Sequence, residues 1–410
     1  MNLPDRRGAG FAVLLGAAFA VSMAFGVTMP LLPSMLDRFI VSAEVGDVAR
    51  HTGWLTAVYT LAMLALSPAW GALSDRIDRR LVMLVGLVGG AVALLGLDFV
   101  ENLAGLYAAR IGAGVFSAAV LPAVLGAVAE MSAPGERPKR FGALAAATAA
   151  GFLAGPAVGS VLASMVIAPP AGMRLGGWLM LDSPFLVVAV ISLLVAAALV
   201  ALPGLNARHA QAANAPTAQD RPALRRAFLL TGLIVFGITI MEVGITLLGT
   251  QIASIGVRGV SAYFALCSLV MVSAQLWAYP RLASQFGERG LLMAAFLGMA
   301  LGLALLPVTH EPWLIGIAVT LGALGVGILI PALATCVSAA AGSRQGLALG
   351  LQTAAANAGQ AVAAAATGML YAGAAAAPFI VGAALMAWAA WLAGRHDAVR
   401  PMAATDAQIP

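Results

Sequence analysis

The sequence predicts an all-α integral membrane protein, with twelve transmembrane helices in two pseudo-symmetric six-helix bundles. Three observations carry this. First, 61% of the 410 residues are hydrophobic and only 10% are charged, whereas a soluble domain carries about 25% charged residues. The mean hydropathy of +0.97 implies more apolar surface than a water-soluble fold can hide. Second, the apolar residues form twelve continuous runs, each close to the roughly 20 residues that cross a bilayer core as a helix. Third, the segments between the runs are alternately rich and poor in arginine. Continuous rather than alternating runs exclude a β-barrel.

Taken in order, the first six spans are expected at 11–32, 53–72, 81–98, 104–128, 141–165 and 178–202. The second six are expected at 227–250, 261–280, 290–308, 313–338, 346–371 and 377–394. The start, "MNLPDRRGAGFAVLLGAAFAVSMAFG", has Arg6 and Arg7 before an apolar run and a cleavage-like Ala18-Phe19-Ala20. The run continues to Leu32, too long for the core of a signal peptide, so a retained first helix is expected.

With both termini inside, seventeen basic residues fall on cytoplasmic segments. Four fall outside: Arg38, Arg50, Arg174 and Arg258. That asymmetry sets the orientation. The stretch 204–226, "GLNARHAQAANAPTAQDRPALRR", is the one long polar insertion and reads as a cytoplasmic linker. It divides the chain into an N-terminal bundle (1–203) and a C-terminal bundle with a short cytoplasmic tail (227–410). "GALSDRIDRR" (71–80) after span two and "PRLASQFGERG" (280–290) after span eight form a faint repeat. Two such halves point to a secondary transporter with its substrate site near the midplane.

Other classes are excluded by what is missing from the sequence. The net charge of +5 comes from scattered arginines with no aromatic-interleaved basic face, so no nucleic-acid partner is expected. Cys267 and Cys336 stand alone in apolar runs, with neither disulfide nor zinc spacing. No phosphate-binding loop, HExxH or Ser/His/Asp set occurs, so neither catalysis nor ATP-driven transport is expected. No metal or cofactor is expected.

Charge gathers at 71–80, at the inner end of span two. Asp75 there can meet arginines or the positive end of a neighbouring helix, latching the halves together on the inside. "GALSDRIDRRLVM" also resembles the loop motif of the major facilitator superfamily, Gly-x-Leu-(Ser/Ala)-Asp-Arg-x-Gly-Arg-Arg. It matches at Gly71, Leu73, Ser74, Asp75, Arg76, Arg79 and Arg80 and departs at Asp78, where glycine would permit a tight left-handed turn. In span four, "RIGAGVFSAA" buries Arg110 before Gly112 and Gly114. A membrane-embedded arginine must face a polar cavity or a partner, and the resemblance implies a part in proton coupling. In span five, "GFLAGPAVGS" resembles the motif of the superfamily's antiporters at Gly151, Gly155, Pro156 and Gly159, with Ser160 replacing the last glycine. Small residues let helices approach closely, proline bends a helix, and the pair is expected to seal the interface between halves.

A proton carrier must be an acid inside the membrane. His51, His209, His310 and His396 all fall in expected loops or tails. Glu242, well inside span seven, is the first candidate and Asp182, near the outer end of span six, the second. Asp98 and Glu130 lie near span ends and read as interfacial, and Asp37 as exposed. Tyr59, Gln275, Gln352, Asn357 and Gln360 are candidate cavity-lining polar groups. Met23, Met29, Met241, Phe236 and Trp277 are candidates for an apolar wall. The expectation is proton-coupled export of small amphipathic molecules by a monomer in a bacterial inner membrane, with protons, lipid and a small-molecule substrate as partners. Two other readings stay open: a dedicated exporter of an endogenous metabolite such as a siderophore, and an uptake symporter, against which the span-five motif argues.

Overall fold

The computed structural model describes residues 3–28, 31–36, 39, 45–165, 174–175, 179–180, 183–201, 220–251, 256–308, 311–342 and 344–395. The first-half helices are α1 (Leu3–Thr28), α2 (Val45–Ser74), α3 (Arg79–Gly96), α4 (Leu103–Met131), α5 (Arg137–Met165) and α6 (Pro184–Ala201). The second-half helices begin with α7 (Asp220–Gln251). Then α8 runs over Gly256–Ser273, a π-helical turn Ala274–Ala278 and Tyr279–Gln285. After it come α9 (Glu288–Leu305), α10 (Pro312–Ala340), α11 (Gln345–Gly373) and α12 (Ala377–Arg395). A short helix, Leu32–Leu36, follows α1. Two-residue strands β1 (Arg174–Leu175) and β2 (Leu179–Met180) pair antiparallel before α6.

Ten of these helices are long and apolar enough to cross a membrane. The other two, α5 and α11, are 29 residues each and coincide with the expected fifth and eleventh spans. The largest boundary differences, eight residues each, are α1, which starts at Leu3 rather than 11, and α2, which starts at Val45 rather than 53. The polar first turns of α2 place His51 in helix, where Nδ1 lies 3.0 Å from the Tyr107 hydroxyl. Of the expected linker, 220–226 opens α7 and the remainder lies outside the described residues.

Local chemistry sets the helix ends. The Asn102 side chain accepts from the Gly105 N–H at 2.8 Å and caps α4. Pro312 opens α10, where its missing N–H is not needed. Gly342, at φ 57°, takes the left-handed turn that closes α10.

The chain forms two compact units. The first comprises Met1–Ala133, Ala146–Ala213 and Arg344–Ala361. The second comprises Pro134–Ala145, Asn214–Ser343 and Val362–Pro410. The opening turns of α5 thus group with the later sequence, and the first half of α11 with the earlier. In the first unit α4 packs on α1, α2 and α3, and α6 packs on α1 and α3. In the second, α10 packs on α7, α8 and α9, and α12 packs on α7 and α9. Each pairing recurs six helices later, as an internal repeat requires. Buried side chains such as Val27, Leu55, Leu106 and Val188 fill the first unit. Large apolar residues such as Val92, Leu194 and Leu269 stay exposed, which suits a lipid-facing surface rather than a water-facing one.

Candidate functional site

The charged cluster is built where α2 ends. Ser74 is the last helical residue, and the chain turns over 75–78 into α3. Asp78 caps α3, its carboxylate accepting from the Arg80 N–H at 2.9 Å. Its φ of −57° is an ordinary right-handed value. The left-handed turn that glycine would permit is not used here; the position is an N-cap, where aspartate adds a side-chain hydrogen bond that glycine lacks.

The capped helix places Arg79 in its first turn with the side chain buried at 2% exposure. Its Nη2 donates to Asp75 at 2.6 Å and to Glu130 at 2.7 Å, its Nε to Glu130 at 3.2 Å, and its Nη1 to the Ser74 hydroxyl at 3.0 Å. Gly126 on α4 gives the guanidinium room, since a Cβ there would strike it. Asp75 makes two further bonds. Its Oδ1 accepts from the Gly346 N–H at 2.7 Å and its Oδ2 from the Leu347 N–H at 2.9 Å. Both donors lie in the first turn of α11, where N–H groups have no partner within the helix and the dipole favours an anion. Gly71 and Gly346 allow this approach, because a Cβ on either would strike the other's carbonyl. Arg76 is exposed, and Arg80 donates to the Val200 carbonyl at the end of α6. Glu130, at the end of α4, is the second carboxylate of the Arg79 cluster.

Arg110, on α4, is 1% exposed. Its Nε donates to the Leu55 carbonyl at 3.3 Å, and its guanidinium carbon lies 4.6 Å from the centre of the Tyr59 ring. Tyr59, on α2, is buried and also packs against Phe25 with ring centres 5.1 Å apart. Both residues border a cavity that is also lined by Thr28, Ser117 and Ser192.

The span-five glycines lie on α5 and face α1. A Cβ on Gly151 would enter the Phe19 backbone, and one on Gly155 the backbone of Met23, Gly26 and Val27. They bring α5 onto a helix of their own sequence half rather than onto the later half. Pro156 and Gly159 continue the same helix to Met165.

In the second unit Glu242 lies on α7 and is half-buried. Met241 and Phe236 on α7 are buried, as is Met23 on α1, whereas Trp277 on α8 is 57% exposed and is not part of a buried wall. Gln275 is buried inside the π-helical turn of α8. Gly142 of α5 approaches its backbone so closely that a Cβ would strike the Gln275 carbonyl. On α11, the Asn357 amide donates to the Thr353 carbonyl at 3.0 Å, Gln352 is buried and Gln360 half-buried. Asp37, Asp182 and Met29 lie outside the described residues.

Twelve long helices, repeated packing and a charged clasp at one helix end define a multi-pass membrane transporter rather than an enzyme. Residues 14–280 match the family model described as Major Facilitator Superfamily, and the chain belongs to that superfamily. It is 25% identical over 356 residues to multidrug resistance protein 2 of Bacillus subtilis, covering 84% of each chain. It is 29% identical over 350 residues to the class C tetracycline resistance protein of Escherichia coli, covering 80% of each. The human organic anion transporter TETRAN has the same fold, with a TM-score of 0.78 at 18% identity, over 96% of this chain and 100% of that one.

Proposed function

We propose that the protein exports small amphipathic molecules, drug-like or metabolite, from the cytoplasm by proton antiport with alternating access. The observation that carries this reading is the clasp of Asp75 on the first turn of α11, backed by Arg79 and Glu130. Such a contact can close the cytoplasmic end and must break when that end opens. The relatives' names support a drug-like cargo. In this reading the halves 1–203 and 227–410 rock about a midplane site and 204–226 joins them. Both termini are cytoplasmic, and the protein works as a monomer in the bacterial inner membrane.

Proton coupling falls to Glu242, with Arg110 and Asp182 assisting. One proton moving down about 150 mV releases about 3.5 kcal/mol, enough to hold a gradient of a few hundred-fold. Tyr59, Gln275, Asn357 and Gln360 contribute to cargo binding. Gly151, Gly155, Pro156 and Gly159 keep the antiporter helix tight against leak.

Everted vesicles with an imposed pH gradient test this. Cargo from a compound panel should dissipate the gradient, and Glu242→Gln should abolish that response while leaving the protein in the membrane. Full proton-driven export by Glu242→Gln would remove Glu242 from the mechanism. A gradient unmoved by every compound on the panel would count against drug-like cargo.

A further inference from the structure

Among the described residues, Arg110 is a buried cation with no carboxylate against it. Its Nε is taken by the Leu55 carbonyl and its face by the Tyr59 ring, while Nη2 has no hydrogen-bond partner among the described residues. The cavity it borders has a volume of about 20 Å³, room for one small ion or water. None of the lining residues is acidic. A buried charge left this way is costly unless something supplies the missing counter-charge.

The other polar walls narrow what can fill it. The Thr28 hydroxyl donates to the Ala24 carbonyl at 2.8 Å, and the Ser192 hydroxyl to the Val188 carbonyl at 3.0 Å. Neither has a proton left for the cavity. Tyr59 and Ser117 bring further hydroxyls to the cavity wall. The Arg110 guanidinium and these hydroxyls border a space otherwise lined by residues such as Phe25, Leu87 and Leu94. A charged donor beside hydroxyls in an otherwise apolar pocket selects an anion over a neutral or cationic group.

We propose that this cavity takes a compact monovalent anion, with Arg110 Nη2 as its cationic donor. The source is either a free halide or the carboxylate of a cargo molecule. The cavity shares Arg110 and Tyr59 with the proposed transport cycle, but anion binding is read on the purified protein without a proton gradient, so the two readings can fail separately.

The test is thermal unfolding of the purified full-length protein in detergent, at constant ionic strength. Chloride or formate is titrated against gluconate, which is too bulky for the cavity. A saturable rise in the melting midpoint of about 2 °C is expected. A rise with chloride alone identifies a free halide, and a rise with formate alone identifies a carboxylate. A rise with both supports a general small-anion site. Arg110→Gln should abolish the rise. Ser117→Ala keeps the cation and should raise the half-saturating concentration about tenfold, which keeps the test usable if Arg110→Gln fails to fold. Equal midpoints in all three salts, or an undiminished rise in Arg110→Gln, would overturn the proposal.

Discussion

Arg79 holds four hydrogen bonds with only 2% of its surface exposed. Removing it strands two carboxylates, Asp75 at 11% and Glu130 at 21% side-chain exposure. Arg79→Ala should therefore lower stability by about 3 kcal/mol, read as a drop in the melting midpoint. Arg79→Lys should recover only part, because an ammonium cannot bridge three acceptors with a planar fork. Asp78→Ala should cost about 1 kcal/mol through the lost cap, Asp78→Gly only a few tenths, with transport unchanged in both. The spacing of Asp75 and Arg79, four apart, made their pairing readable from the sequence. Glu130 was not readable, because it meets Arg79 across 51 positions. Its depth was the available signal: an acid at the end of span four lies level with the arginine at the start of span three. Arg110 stood out as an embedded cation, but nothing in the sequence pointed to the Tyr59 ring.

Among the elements, the span limits were legible because lipid demands long apolar runs bounded by polar turns. What the runs could not give was helix continuation through polar residues, as in the first turns of α2, or the π-helical turn in α8. Ser67 on α2 and Gln275 on α8 each receive a glycine of a passing helix, Gly350 and Gly142 respectively. A clearer repeat, "FGVT" at 25–28 and "FGIT" at 236–239, falls in α1 and α7, which hold equivalent places in their units. The α5 glycines face backbone, so added volume has nowhere to go. Gly155→Val should lower the melting midpoint and the folded yield, by about 3 kcal/mol of overpacking. Gly53→Ala, where nothing lies within 4 Å, should be neutral. Equal behaviour of the two variants would show that α5 can move away from α1 at little cost.

For the whole molecule, the proposed orientation is checked with single cysteines in a Cys267→Ala, Cys336→Ala background, both native thiols being buried. Ala133→Cys, exposed beyond α4, should react with a membrane-impermeant maleimide only in everted vesicles. Glu101→Cys, exposed before α4, should react only in intact spheroplasts. The reverse pattern would invert the topology. The clasp on α11 also bears on biogenesis. Asp75 meets its amide partners 271 and 272 positions later in the chain. At the ribosome's pace of about 5–20 residues per second, that is a wait of roughly 14–54 s. Through that interval the first unit lacks Arg344–Ala361, and Arg79 is a partner of Asp75 already in the chain. A nascent chain stalled before Arg344 should keep that ion pair without the first turn of α11.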